Sequence, residues 1–507
     1  CGLRMNSRHR YLLSIILSMI IVFTFIEWKV NAQTGDFNLE AEQNWDTYGI
    51  GGTCVYGTQN IFVGDVDGDN AIELLTGGFA YYTTTNGSRT IAEAPLKVWN
   101  WNGQNVSLKA SANWIGSIVC VYAADVDGDK NVEIITAGSC RNETSNRTSS
   151  CLRVWRLTNQ ELILKAQYDG ISTNSIFVDD LNKDGVTEII TVGRLLKNSL
   201  NTGQLCLWHL QDTSLSLVGR LELDAAKVRN ANSVFAEDLD NNGDIEIIVG
   251  GYSDNLNNSK GQLSVWHWNG QEFSLKANEN WQLIPGIYAA TIAGAVQGNT
   301  IVNNVKAADL DRDGFKEIVT GGFTYDGKNV KAQLKTWRWN GAVLTELVNE
   351  EWATDYLTEV KSISLNDVNN DGTTEIVTSG ITAAENSFKN SESLHDRGQL
   401  RIWGFNKTAL LLEQSTDWTF GEGACAWNVG NGDIDNDGVL EIITVGCTAQ
   451  ASLCDPDMRV WSIASVAATP TLSPYLLGVG MLVIIVVAIS ILIFVWRKRK
   501  NADKTNS

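Results

Sequence analysis

One pattern occurs seven times along the 507 residues: Asp-x-Asp/Asn-x-Asp/Asn-x-x-x-Glu, followed by an Ile/Leu/Val-rich run. The copies start at Asp65, Asp125, Asp180, Asp238, Asp309, Asp367 and Asp433, with gaps of 60, 55, 58, 71, 58 and 66 residues. A chain of this length would otherwise suggest about three domains. Repetition at a loose period instead marks stacked copies of one supersecondary unit.

A second marker follows each copy: a short alternating run that ends in Trp99, Trp155, Trp208, Trp266, Trp337, Trp403 or Trp461. Alternation and β-branched content predict strands here. Each unit reads as four. In the second unit these are Ser117 to Ala124, Val132 to Ala137, Leu152 to Leu157 and Leu162 to Tyr168. Asn102-Gly103, Asn269-Gly270 and Asn340-Gly341 supply tight hairpin turns. Four antiparallel strands per unit predict an all-β fold, a seven-bladed β-propeller. The segment from Phe37 to Trp45 resembles a fourth strand: Leu39-Glu40-Ala41 matches Leu108-Lys109-Ala110. After Trp461 no fourth strand remains, so the N-terminal strand is expected to close the ring beside Met458 to Trp461. Closure leaves no exposed sheet edge.

The acidic loops predict metal. Side-chain oxygens at positions 1, 3 and 5 of a tight turn converge, and a carboxylate at position 9 completes the shell. Hard oxygen donors suit Ca²⁺ better than Mg²⁺, which dehydrates reluctantly. The expected ligands are Asp65, Asp67, Asp69 and Glu73; Asp125, Asp127, Asp129 and Glu133; Asp180, Asn182, Asp184 and Glu188; Asp238, Asp240, Asn242 and Glu246; Asp309, Asp311, Asp313 and Glu317; Asp367, Asn369, Asp371 and Glu375; and Asp433, Asp435, Asp437 and Glu441. Up to seven structural Ca²⁺ are expected. An EF-hand is excluded, because position 12 is Thr or Val and never Glu. Position 6 is Gly in five copies, Asn70 and Lys130 in the others, and a left-handed backbone is expected there. The Asp65, Asp309 and Asp433 loops, with all four carboxylates and Asn or Gly at position 6, should bind most tightly; the Asp180, Asp238 and Asp367 loops, short of one carboxylate, and the Asp125 loop, with Lys130, should bind more weakly.

The motif around Phe62, Asp65, Asp67 and Asp69, with its six relatives, resembles the FG-GAP/VCBS-type repeats of integrin α-chain N-terminal β-propellers. The likeness runs from about Phe37 to Trp461. Thr-Gly-Gly-Phe at 76–79 and 320–323 departs from the Gly-Ala-Pro of that family. The resemblance implies a calcium-binding propeller used in cell-surface adhesion.

The formal net charge of -19 excludes the basic footprint of a nucleic-acid binder. Seven Ca²⁺ would add +14 and bring it to about -5. No His triad or Ser-His pair is visible among the 4 histidines, so no catalytic residue is assigned. The tryptophans could dock a quinone cofactor, but packing between units accounts for them without one.

The ends predict topology. A basic start and the apolar run Tyr11 to Ile26 make 1–32 a secretory signal peptide or an uncleaved signal anchor. The repeats occupy 33–462, and 463–474 is a stalk. The uncharged stretch 475–496 is a transmembrane helix, and the basic tail 497–507 places the C-terminus in the cytoplasm. Single-pass anchoring in the cell membrane with the propeller outside follows. Cys140 with Cys151, and Cys447 with Cys454, are expected as disulfides across hairpins.

The expected function is binding of an extracellular protein or glycan. The alternatives are a propeller enzyme acting on polysaccharide and a scaffold subunit of a surface assembly. Longer connections at 78–95, 138–151, 380–399 and 282–304 would emerge on one face. They place Tyr81, Tyr82, Ile284, Tyr288 and His395 as candidate ligand contacts.

Overall fold

Each acidic loop breaks an apolar, β-branched stretch in two, and the halves pair as neighbouring antiparallel strands. A computed structural model describes residues 37–44, 54–83, 89–142, 147–197, 200–223, 227–253, 259–282, 300–384, 396–419, 423–450 and 453–463. Strand β1 (Phe37–Asn44) comes first. Four-strand sets follow: β2 (Cys54–Gly64), β3 (Glu73–Thr83), β4 (Arg89–Trp101) and β5 (Val106–Trp114); β6 (Gly116–Ala124), β7 (Glu133–Asn142), β8 (Arg147–Thr158) and β9 (Glu161–Asp169). The next are β10 (Ser175–Asp179), β11 (Glu188–Lys197), β12 (Leu200–Gln211) and β13 (Ser214–Glu222); β14 (Val228–Glu237), β15 (Glu246–Ser253), β16 (Lys260–Trp268) and β17 (Phe273–Trp281). Then come β18 (Thr300–Ala308), β19 (Glu317–Tyr325), β20 (Val330–Trp339) and β21 (Leu344–Trp352); β22 (Leu357–Asn366), β23 (Glu375–Ala383), β24 (Arg397–Phe405) and β25 (Leu410–Trp418). Last are β26 (Gly423–Gly432), β27 (Glu441–Gln450) and β28 (Leu453–Ile463).

The architecture is an all-β propeller. The first strands of the sets, β2, β6, β10, β14, β18, β22 and β26, touch one another in that order, and β26 returns to β2. The strand β1 pairs antiparallel with β28, Phe37 opposite Ile463 and Gln43 opposite Met458. Hydrogen bonding nevertheless yields five sheets, not the seven separate blades expected. Three sheets have four strands and two have eight. The physical reason is local. One parallel residue pair, Val55 with Cys454, joins β2 to β28; another, Val330 with Leu357, joins β20 to β22. Each merges two loop-headed sets into one sheet.

The tryptophan marker and the Thr at position 12 turn out to be one device. The indole Nε1 of Trp99, Trp155, Trp208, Trp337, Trp403 and Trp461 donates to Oγ1 of Thr76, Thr136, Thr191, Thr320, Thr378 and Thr444, at 2.9 to 3.2 Å. Where position 12 is Val249, Trp266 donates instead to Ser264 at 2.8 Å. A buried indole N–H needs such an acceptor. On its other side the ring meets the preceding set: Trp114 stacks on Trp155, and Trp281, Trp352 and Trp418 pack against Trp337, Trp403 and Trp461. The tryptophans therefore pack between sets.

Two expectations change. The connections at 78–95 and 138–151 are mainly strand, since pairing continues to Thr83 with Arg89 and Asn142 with Arg147. Cys447 faces Cys425 across β26 and β27, Sγ to Sγ 2.6 Å, while Cys454 stands opposite Ala449. The registers that set this were not readable from cysteine spacing. Cys140 and Cys151 are thiols in hydrogen-bond contact. No helix of the described residues is long and apolar enough to cross a membrane. The segments 1–32 and 475–496, and the tail 497–507, lie outside the described residues.

Candidate metal centres

Every loop is built the same way. The position-9 Glu is the first residue of a second strand and is almost fully buried in all seven copies. Its Oε2 accepts the backbone N–H of position 2 at 2.9 to 3.2 Å, in each of Val66, Val126, Leu181, Leu239, Leu310, Val368 and Ile434. That bond fixes the carboxylate plane. Oε1 accepts basic or hydroxyl side chains at the loop, as at Glu73 and Glu375. The position-1 Asp accepts the N–H of position 6 in six copies, for example Gly243 to Asp238 at 2.9 Å and Gly438 to Asp433 at 3.0 Å.

Position 6 has positive φ in all seven copies, Asn70 and Lys130 included. Position 4 does too, which sequence reading missed. Gly68 and Gly128 occupy it in the two loops without Gly at position 6; the others carry Lys183, Asn241, Arg312, Asn370 and Asn436. One glycine per loop, at either site, was the available signal.

The structure gathers Asp65, Asp67, Asp69 and Glu73 with ligand atoms within 4.8 Å of one another. It does the same for Asp125, Asp127 and Glu133; Asp238, Asp240 and Glu246; Asp309, Asp311 and Glu317; and Asp367, Asp371 and Glu375. Asp129 and Asp313 stand apart from their groups and pair with arginines instead. Asn182 and Asn242 present amide oxygens to the N–H groups of Asp184 and Asp244.

What fills each loop differs. Lys109 reaches Asp67 at 2.6 Å, Asp69 at 3.2 Å and Glu73 at 2.9 Å. Arg156 and Lys165 both enter the Asp125 loop and pair with Glu133. His209 Nε2 lies 2.8 Å from Glu188. Arg338 pairs with Glu317 and Asp313, and Lys407, from the turn of the next set, reaches Asp311 at 3.3 Å. Among the described residues no Lys or Arg pairs with the Asp238, Asp367 or Asp433 loops.

Register contributes to the split. In every set the third and fourth strands share a bulge beside the marker Trp. Lys276 holds the extra position in the fourth set, but it is exposed and forms no ion pair with the Asp238 loop among the described residues, whereas the extra residue acts on the loop in the first two and last two sets. In the first two sets it is Lys109 and Lys165, bulged between Leu108 and Ala110 and between Leu164 and Ala166. In the last two it is Glu413 and Glu40. The residue after the Trp also borders the loop. It is Arg156 and Arg338 in two sets, but Gly404 and Ser462 in the last two. A Cβ at position 404 would collide with Glu413 Oε1, so that glycine makes room for a further carboxylate.

The electrostatics follow. Burial, with neighbouring aspartates, pushes Glu246 and Glu441 up to about 7. Burial likewise raises Glu375 to about 7, with Asp371 and Glu413 adding repulsion. Glu317 also rises to about 7 by burial, offset in part by Arg338. In the Asp238 loop, Asp240 Oδ1 is buried without a hydrogen-bond partner. A divalent cation fits that orphaned oxygen. The donor sets of the Asp238, Asp367 and Asp433 loops are all oxygen and carry uncompensated negative charge.

Of the candidate ligand contacts, Tyr81 and Tyr82 lie on β3, opposite Ile91 and Thr90. Their side chains, and Ile284, Tyr288 and His395, fall outside what is described.

No family model matches the chain, and no curated protein matches it. Among solved structures the chain is similar to rhamnogalacturonan lyase YesW: 14% identity, 85% of this chain and 76% of that one covered, TM-score 0.41.

Proposed function

We propose that the protein is a calcium-stabilised recognition module of the FG-GAP/VCBS type, resembling the integrin α-chain propeller and anchored on the outer face of the cell membrane. The observation that carries the calcium is the set of loops with no internal cation. Asp238, Asp240, Asn242 and Glu246 would hold one ion; Asp367, Asn369, Asp371 and Glu375 a second; Asp433, Asp435, Asp437 and Glu441 a third. Calcium there supplies the charge that lysine and arginine supply elsewhere. Extracellular modules bind Ca²⁺ at about 10⁻⁴–10⁻³ M. A protein that leans on such sites suits the outside of a cell.

The ligand is a protein or glycan met by the face carrying Tyr81, Tyr82, Ile284, Tyr288 and His395, and the protein performs no catalysis of its own. Two measurements test this. Calorimetric titration of the metal-stripped full chain in detergent should give about three Ca²⁺ per chain; none overturns the calcium reading. A glycan and surface-protein array, probed with and without EGTA, should show calcium-dependent capture. Turnover of a polysaccharide panel without saturable capture would replace the recognition reading with an enzyme.

A further inference from the structure

The axis of the ring holds a cavity of about 280 Å³, lined by the inner strand of every set. Its wall is unequal. Three residues before the first Asp of each loop, the side chains run Phe62, Tyr122, Phe177, Phe235, then Lys306, Ser364 and Gly430. The four rings form a continuous arc, with neighbouring centroids 5.2, 5.6 and 4.6 Å apart. Lys306 ends the arc, its Nζ 5.1 Å from the Phe235 ring centroid.

Lys306 lies partly buried, and no carboxylate pairs with it among the described residues. Burial alone lowers it to about 8. The acids on the inner strands are Asp179, Glu237 and Glu359, and none lines the cavity; Asp179 and Glu237 sit two residues further toward the acidic loops, and Glu359 pairs with Lys361 at 2.8 Å. Asn304, which does line it, has a buried Oδ1 without a donor. An uncompensated cation and an orphaned acceptor are both costly in a low-dielectric site unless a ligand meets them.

We propose that the axial cavity binds a small hydroxylated carboxylate of sugar-acid size. Lys306 is the counter-ion of the carboxylate, Asn304 accepts from a hydroxyl, and the aromatic arc covers the C–H face of the ring. A volume of about 280 Å³ is at the lower end of ligand pockets, which run from about 300 Å³ upward. It fits one monosaccharide ring and not a polymer. This site is independent of the calcium loops and of the loop-bearing face.

The test uses the calcium-loaded full chain in detergent and titrates D-glucuronate and D-glucose by calorimetry. One saturable glucuronate site per chain is expected, with glucose at least tenfold weaker. Lys306→Met should reduce glucuronate affinity at least tenfold and leave glucose unchanged, and Lys306→Arg should retain most of it. Circular dichroism and thermal melting of both variants confirm the fold. Equal affinity for the two sugars, no saturable binding, or unchanged glucuronate binding by a folded Lys306→Met variant would overturn the proposal.

Discussion

The Asp125 and Asp433 loops have the same backbone and opposite chemistry. In the first, Arg156 and Lys165 converge on Asp127, Asp129 and Glu133. In the second, the corresponding positions are Ser462 and Glu40, and Glu441 is pushed up to about 7. One loop carries its own cations; the other adds an acid. Conservation of a turn's backbone therefore does not imply conservation of its need for metal. Counting carboxylates within the nine-residue pattern ranks Asp65 and Asp309 among the tightest loops. The structure places Lys109 and Arg338 in both.

The largest expected effect comes from chelation. Each ion bound at about ten times its dissociation constant adds roughly 1.4 kcal/mol. Stripping three should cost about 4 kcal/mol and lower the calorimetric melting temperature by about 5 °C. Identical melting curves with and without EGTA would dissolve the distinction between the two kinds of loop.

Exchanging the loops' chemistry comes next. Arg338→Met leaves the buried Glu317 uncompensated and should cost about 3 kcal/mol in EGTA. Millimolar Ca²⁺ should restore most of it and raise the calcium count by one. Ser462→Arg should do the reverse, lowering the count by one and blunting the response to chelator. Urea melts paired with calcium titration read both, and unchanged counts in both variants would break the comparison.

A smaller effect is set by pH. Glu246, Glu375 and Glu441 rise from an ordinary 4.5 to about 7 on folding. The folded, metal-free protein thus holds more protons than the unfolded chain between those values. Its stability should fall as pH rises from about 4.5 to 7 and then level off. With Ca²⁺ present the trend should invert, because protons compete with the ion. A chelated protein that gains stability over this range contradicts the assignment.

The smallest test asks whether the difference lies in the loops and not in the strands beneath. Thr444→Val removes the acceptor of Trp461 and should cost about 1–2 kcal/mol. Val249→Thr should change little, since Trp266 already donates to Ser264. Equal effects at both positions would undo that reading.

Much of this was legible in the sequence. The seven loops, the order of strands and the partner of the N-terminal strand follow from repeated residues whose physical demands are local. Even Glu40 against Lys109 is visible once the two segments are aligned. What that alignment does not reveal is that both residues are bulged toward an acidic loop, because a one-residue shift of register moves a side chain to the opposite face. Lys407 was beyond reach for another reason: it arrives from the next set, far along the chain. The merging of sets into five sheets rests on two single residue pairs, which no periodic pattern encodes. The strands that end at Thr83 and Asn142 and begin at Arg89 and Arg147 run longer than expected, because their polar ends look like loop in the sequence.

The pairing of β1 with β28 also sets a clock. Asn38 and Ser462 are 424 positions apart, yet they are hydrogen-bonded neighbours. A ribosome adding about 5–20 residues per second needs roughly 20 to 85 s to travel from one to the other. During that interval the first strand has been made and its berth has not. Its outer face shows Leu39 to water even in the finished protein, and its backbone donors and acceptors have only strangers to meet. Segments of this kind are what chaperones hold, so birth order makes the first residues of the fold the last to be settled.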